Sequence, residues 1–224
     1  MCIRDRTEIV DAEGELNLED LIAEEDMIIT ITHTGYIKRI PTGTYRRQKR
    51  GGKGITGLGM KDEDFVEHIF IASTHSYILF FTDQGKCYWL KVHEIPQGGR
   101  LARGKAIVNL LEMSREENIS AFIPIPDFGA DANLMLATRN GLVKKTHLSS
   151  YANPRRGGII AIVLGDDDRL ITAKLTSGND DIILAKRRGK AIRFRETDVR
   201  QMGRATRGVK GVTLDGDDEV VAMV

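Results

Sequence analysis

Cysteine is nearly absent from these 224 residues. Cys2 and Cys87 are the only two, too few for a disulfide framework and without metal-ligand spacing, as expected of a chain kept in a reducing cytoplasm. Long hydrophobic runs are missing: none approaches the roughly 18 apolar residues of a membrane-spanning helix. Met1 to Arg6 has no apolar core and the sequence turns acidic at Glu8, so no secretory leader is expected. Helical periodicity is scarce, with Leu18 to Glu24 and Ser114 to Asn118 the best short candidates. Catalytic groupings are lacking as well. His33, His68, His75, His93 and His147 are scattered, no Ser/His/Asp or Cys/His arrangement is legible, and Cys87 falls on an expected strand as a core residue. Neither sign of charge prevails: 33 Lys and Arg against 32 Asp and Glu give +1, which taken alone argues against a nucleic-acid binder.

What is present is unevenly placed. Residues Glu8 to Asp26 hold nine acids and no base, whereas His33 to Lys61 holds eight bases and no acid. Six of the ten residues from Lys186 to Arg195 are Lys or Arg. Neutrality is therefore a cancellation between segregated patches. At 41% hydrophobic and 29% charged, the chain can build a sizeable core, either as one large β domain or as two smaller ones.

Four copies of one strand-rich pattern run through the chain, aligned on Gly35, Gly85, Gly141 and Gly189, which fall 50, 56 and 48 residues apart. Each copy has a short apolar strand, a tight polar turn and a returning strand mixing apolar and basic residues. That is a β-hairpin signature, clearest at Asn140-Gly141. A second glycine-marked strand follows each hairpin: Lys53 to Thr56, Lys105 to Val108, Gly158 to Ala161 and Lys210 to Thr213. Between copies lies another apolar stretch, such as Glu67 to Ala72 or Leu170 to Leu175. Four strands per repeat of about 50 residues predicts an all-β, propeller-like radial array of four-stranded blades; a sandwich would lack so regular a period. The expected organisation is an acidic lead-in over 1–26 and the β array over 27–224. Glu219 to Val224 reads as the opening strand of a fifth unit, which predicts an incomplete array of four full repeats.

Only the first hairpin is followed by Gln48-Lys49-Arg50-Gly51-Gly52-Lys53-Gly54, three cations and three glycines in seven residues. Cations would meet phosphates while the glycines let backbone approach closely; the plain alternative is a solvated charged loop. The lack of compensating acid nearby, with Tyr36 and Tyr45 among the cations and Arg46 and Arg47 leading in, favours phosphate binding. The basic fourth hairpin, with Arg188 and Lys190, is a second candidate contact, extended by Arg200, Arg204, Arg207 and Lys210. An edge strand guarded by Lys against aggregation is its alternative reading. Lys144, Lys145, Arg155 and Arg156 in the third copy, and Arg100, Arg103 and Lys105 in the second, occupy comparable places. A basic stripe repeated blade by blade would trace a path along one rim.

Two nucleotide-binding patterns are accidental. Gly52 to Gly57 satisfies G-x-G-x-x-G but lacks the strand before and helix after it. Gly99 to Ala106 is a Walker A spacing with Ala where a Ser or Thr should bind Mg²⁺. The acidic runs Asp166-Asp167-Asp168 and Asp215 to Glu219 match no Ca²⁺ loop and are expected to be solvated turns.

The heptad resembles the box motif of the C-terminal domain of the DNA gyrase A subunit. Arg6 to Ile9 with Leu18 to Asp26 resembles that family's junction with its breakage-reunion domain. Tyr36-Ile37-Lys38-Arg39 and Asn153-Pro154-Arg155-Arg156-Gly157-Gly158 are also similar to family sequence. The resemblance runs from Arg6 onward; Met1 to Asp5 matches nothing expected of the family. It implies a β-pinwheel that binds duplex DNA without sequence preference and wraps it chirally around a basic rim, supporting ATP-dependent negative supercoiling. Lys49, Arg50 and Lys53 would be phosphate contacts, and Gly51, Gly52 and Gly54 would permit close backbone approach. The family disc usually has six blades, against four repeats here. The implied partners are DNA, the breakage-reunion domain and gyrase B in an A2B2 assembly, with no membrane. ATP and Mg²⁺ would be held in other domains, with no cofactor expected in this chain. No breakage-reunion domain has a counterpart in the sequence, so none of Tyr36, Tyr45, Tyr77, Tyr88 or Tyr151 is given a nucleophile's role. The alternatives are the corresponding domain of topoisomerase IV, where the box is typically lost or degraded, and a propeller for protein docking.

Overall fold

The computed structural model describes residues 18–44, 64–114, 116–153, 155 and 157–224. The four repeats form four β-sheets in a propeller-like array. The first hairpin pairs β1 (Asp26–Thr32) with β2 (Tyr36–Pro41), and β3 (Val66–Ser73) lies on the other side of β1. Three further hairpins follow the same plan. They are β4 (Tyr77–Thr82) with β5 (Lys86–Lys91), β8 (Asn133–Thr138) with β9 (Leu142–His147), and β12 (Asp181–Lys186) with β13 (Ala191–Arg195). Their third strands are β7 (Ile119–Ile125), β11 (Leu170–Thr176) and β15 (Val220–Met223). The turn glycines at 35, 85, 141 and 189 have φ between +77° and +83°, the left-handed conformation expected from the alignment.

The hairpins are held at their tips by a shared device. Thr32, Thr82 and Thr138 are buried, and their hydroxyls accept the backbone N–H of Tyr36, Lys86 and Leu142. At the same level the pairing with the third strand shifts register, between Ile31 and Thr32 and at the equivalent place in each blade. Such a bulge turns the third strand away from the tip.

Strand membership departs from expectation. The second glycine-marked strand joins the preceding blade rather than its own. Thus β6 (Lys105–Ala106) pairs with β2, β10 (Ile159–Ile160) with β5, and β14 (Val209–Lys210) with β9. Among the described residues, three sheets consequently have four strands, one of them exchanged from the following repeat, and the fourth sheet has three. The counterpart strand Lys53 to Thr56 lies outside the described residues. Val220–Met223, expected to open a fifth unit, completes the fourth blade instead. Of the two expected helices, Leu18–Leu21 is a single 3-10 turn and the described part of Ser114 to Asn118 is turn; the described residues contain no α-helix.

The core lies between blades. On β4, Ile78 and Phe80 pack toward the first blade, while Leu79 and Phe81 pack toward the third. On β8, Leu134 and Leu136 face the second blade and Met135 and Ala137 the fourth. Strands sandwiched on both sides must be apolar at every position, which is why Ile78 to Phe81 does not alternate. Strand β11 lies beside both β7 and β15, so the third strands face the inside of the array and the exchanged strands, at the opposite side of their sheets, sit on the outer edge.

The described end of the lead-in is docked against the array. Glu19 pairs with Lys91, the carbonyl of Ala23 accepts the Thr74 hydroxyl at 2.8 Å, and Glu25 and Thr74 bond through their backbones at 2.9 Å. The Lys91 hydrogen bond holds Glu19 below the usual carboxylate range.

Candidate nucleic-acid interface

The hairpin tips lie at one end of the array, each beside a buried acid that precedes the third strand. Asp64 accepts the backbone N–H of Thr34 at 3.1 Å. Asp168 accepts those of Asn140 and Arg169, both at 2.9 Å, and Asp218 those of Arg188 and Glu219 at 3.1 and 3.0 Å. In the second blade Glu117 instead receives the Lys86 ammonium at 2.7 Å and the Tyr88 hydroxyl at 3.1 Å. Burial raises the Asp218 pKa, but the two backbone donors and Lys186 outweigh it and hold the carboxyl below its ordinary value. Asp168 and Asp218 are therefore turn-fixing groups and not the solvated residues expected. In every blade the acid stands two residues before the third strand, a regularity that alignment on the turn glycines does not show because the offsets there are 29, 32, 27 and 29 residues.

This end is charge-balanced in the fourth blade. Arg187 pairs with Glu219 at 2.9 Å, Arg188 with Asp217, and Lys190 approaches Asp215 at 3.9 Å. Arg188 and Lys190 are exposed, yet their field is offset by the acidic turn beneath them.

The outer edge differs. Arg103 is exposed just before β6, its guanidinium 3.8 Å from the Tyr36 ring centroid and its Nε 3.8 Å from Asp64. Lys105 is exposed on β6, and Arg155 precedes β10. Arg207 stands before β14 at the position equivalent to Arg103, and Lys210 is exposed on β14. Arg207 and Lys210 line an indentation with Asn140 and Asp166 to Asp168. No described acid forms an ion pair with Lys105, Arg155, Arg207 or Lys210. The exchanged strands thus gather cations of successive blades on one edge.

Several bases expected on that stripe are turned inward. Lys144 and Lys145 are buried, the ammonium of Lys145 donating to the Glu196 carbonyl at 2.9 Å. Lys186 is buried against Asp218, and Arg204 donates to the Ile160 carbonyl at 2.7 Å. Desolvation is tolerated because each polar head meets an acceptor. The Gln48–Gly54 heptad, Arg46, Arg47, Tyr45 and Arg156 lie outside the described residues.

A family model described as "DNA gyrase C-terminal domain, beta-propeller" matches residues 26–73, 76–125, 132–177 and 180–224, one match per blade. The chain is 51% identical over 206 residues to the DNA gyrase A subunit of Clostridium acetobutylicum, covering 92% of this chain and 25% of that protein. It is 45% identical over 219 residues to the DNA gyrase A subunit of Salmonella typhimurium, covering 98% and 25%. The chain thus spans about a quarter of the length of these relatives. Among solved structures, the C-terminal domain of DNA topoisomerase IV superposes with a TM-score of 0.78 at 33% identity, covering 90% of this chain and 61% of that one. A DNA gyrase A C-terminal domain gives 0.66 at 27%, covering 89% and 64%.

Proposed function

The chain belongs to the DNA gyrase C-terminal domain family, and from that membership we propose that it binds duplex DNA through phosphates and wraps it with one handedness around its outer edge. The observation that carries the reading is the row of exposed cations, Arg103, Lys105, Arg155, Arg207 and Lys210, on or just before the exchanged strands of successive blades. Bending a stiff duplex by 40–90° over 20–30 base pairs costs on the order of 1–6 kcal/mol. Phosphate contacts spread along a curved edge offset that cost and release counterions, so binding falls steeply with salt. With no described α-helix to enter the major groove, recognition rests on the backbone rather than on bases.

Lys49, Arg50 and Lys53 would secure the wrap, with Gln48, Arg46, Arg47 and Arg156 beside them. In the longer protein, the wrap would present DNA to a breakage-reunion domain acting with gyrase B in the cytoplasm, where ATP and Mg²⁺ would be held outside this chain. Supercoiling as opposed to the simpler strand passage of topoisomerase IV rests on the intact heptad and on the identity to the gyrase relatives. A protein-docking propeller is the second reading, favoured by the acid-paired tips of the fourth blade.

Ligation of nicked circular plasmid with increasing protein, then deproteinisation and a topoisomer gel, tests the proposal. A linking-number shift in one direction is expected, lost in the Lys49→Ala, Arg50→Ala, Lys53→Ala triple variant while some straight binding remains. Tight binding without any shift would refute wrapping. A full shift by the triple variant would refute the role of the heptad.

A further inference from the structure

We propose that Lys38 and Lys144 are positioning residues for the DNA interface: each is a buried post whose ammonium holds in place the exchange loop that carries the edge cations. The inference rests on the DNA-wrapping reading and adds to it residues that touch no DNA.

Lys38 is 1% exposed on β2, and its ammonium donates to the carbonyls of Arg100 at 2.6 Å, Ala102 at 2.8 Å and Gly99 at 3.4 Å. Those carbonyls belong to the loop that crosses from the second blade to place Arg103 and Lys105 on the edge of the first. Lys144, 0% exposed, occupies the equivalent place on β9. Its ammonium donates to the Ala161 carbonyl at 2.6 Å and to the Arg204 carbonyl, in the loop that delivers Arg207 and Lys210 to the third blade. Burial lowers both pKa values, that of Lys144 to about 8 with help from Arg204.

The scaffold does not demand a cation here. The same position is Tyr88 in the second blade, buried and bonded to Glu117, and the exposed Ile192 in the fourth. What accompanies the lysine is an arginine directly before the glycine that precedes the exchanged strand. Arg103 and Arg207 stand immediately before the positive-φ Gly104 and Gly208 in the loops that Lys38 and Lys144 hold. Where Tyr88 replaces lysine, the residue in that place is Gly157. Three loop carbonyls drawn to the Lys38 ammonium, and the Arg204 carbonyl drawn to that of Lys144, fix the loops' paths, and a fixed path presents its cations to phosphates without an ordering cost on binding.

The test uses the whole chain with the double substitution Lys38→Met and Lys144→Met, which keeps an unbranched side chain one atom shorter and removes the donor. Affinity for a 40-base-pair duplex is measured across salt concentrations, alongside thermal melting and the topoisomer assay. A post that positions Arg103, Lys105, Arg207 and Lys210 predicts a salt slope shallower by about 2–4, the share of those contacts at about 0.9 each. It further predicts almost no added loss when Arg103→Ala and Lys105→Ala are combined with Lys38→Met, because the loop is already displaced. A purely structural role lowers melting but leaves the slope of the folded variant unchanged, and that result overturns the inference. Should the Met variant not melt cooperatively, Lys38→Tyr with Lys144→Tyr carries the same test, since tyrosine fills this site in the second blade. If the unsubstituted chain binds duplex DNA without salt dependence, the wrapping reading itself fails; if it binds steeply and only the slopes agree, this inference alone fails.

Discussion

Replacing Gly104 by Ala separates the demands of the exchanged strand from those of an ordinary turn, with Gly189→Ala as the control. Both glycines have positive φ, +91° and +77°, so each alanine bears left-handed strain of about 1–2 kcal/mol. At Gly189 a new methyl meets nothing within 4 Å, and strain is the whole cost. At Gly104 it would stand 2.4 Å from the Ile37 carbonyl oxygen and 2.9 Å from its carbon. Both are backbone atoms of β2, a strand fixed on both sides, so no rotamer relieves the overlap and β6 must lift away. That forfeits hydrogen bonds worth about 1 kcal/mol each. It also uncovers Ile107, 2% exposed, whose full burial is worth about 1.5–3 kcal/mol. We expect Gly104→Ala to cost about 3–5 kcal/mol against about 1–2 for Gly189→Ala, read by urea denaturation. Hydrogen exchange should show the Ile107 amide, which donates to the Gly35 carbonyl at 2.9 Å, losing protection in the first variant only. Equal losses in the two variants, or unchanged Ile107 protection, would refute the exchange as a source of stability.

Three further outcomes are expected. Asp168→Ala removes two hydrogen bonds to a buried carboxylate and should cost about 2–3 kcal/mol, with the amide of Asn140 losing protection by NMR. Because the Lys144 pKa falls to about 8, the unfolded chain binds its proton more tightly between pH 8 and the ordinary lysine value near 10.4; stability of the unsubstituted chain relative to Lys144→Met should therefore rise with pH across that window, by on the order of 3 kcal/mol. The opposite drift from Cys87, whose thiol burial pushes up, cancels in that difference, and denaturation midpoints at pH 7.5, 9 and 10 would expose an error of sign. Arg188→Ala with Lys190→Ala should flatten the salt dependence of DNA binding less than Arg103→Ala with Lys105→Ala does, because Asp217 and Asp215 offset both members of the former pair whereas in the latter only Arg103 faces an acid; salt titrations with one duplex decide it.

The hairpins were legible because their physics is local: a glycine that tolerates positive φ, an apolar strand before it and a mixed strand after. The inter-blade core was legible for a similar reason, since a run such as Ile78 to Phe81 has to be covered on both faces. Strand exchange was not. Lys105–Ala106 announces a strand by composition, but nothing in two residues says whose edge it completes, and proximity in sequence favoured its own blade. Which of the expected bases face solvent was legible only in part. A lysine on a strand ordinarily points to solvent, and only the path of a loop distant in sequence reveals that Lys38 and Lys144 point at carbonyls. Asp168 and Asp218 were hidden for a related reason: acids beside glycines resemble solvated turns until the backbone donors they accept are in view.

The exchanged strands also impose an order on synthesis. Tyr36 pairs with Ala106 and Leu142 with Lys210, so at ribosomal rates of about 5–20 residues per second the second strand of a blade waits several seconds for its outer neighbour, about 70 residues downstream. During that interval the nascent chain presents an open sheet edge, the kind of template that recruits foreign strands. Each repeat leaving the ribosome therefore closes the edge of its predecessor while opening its own, and the vulnerable edge travels along the chain with translation.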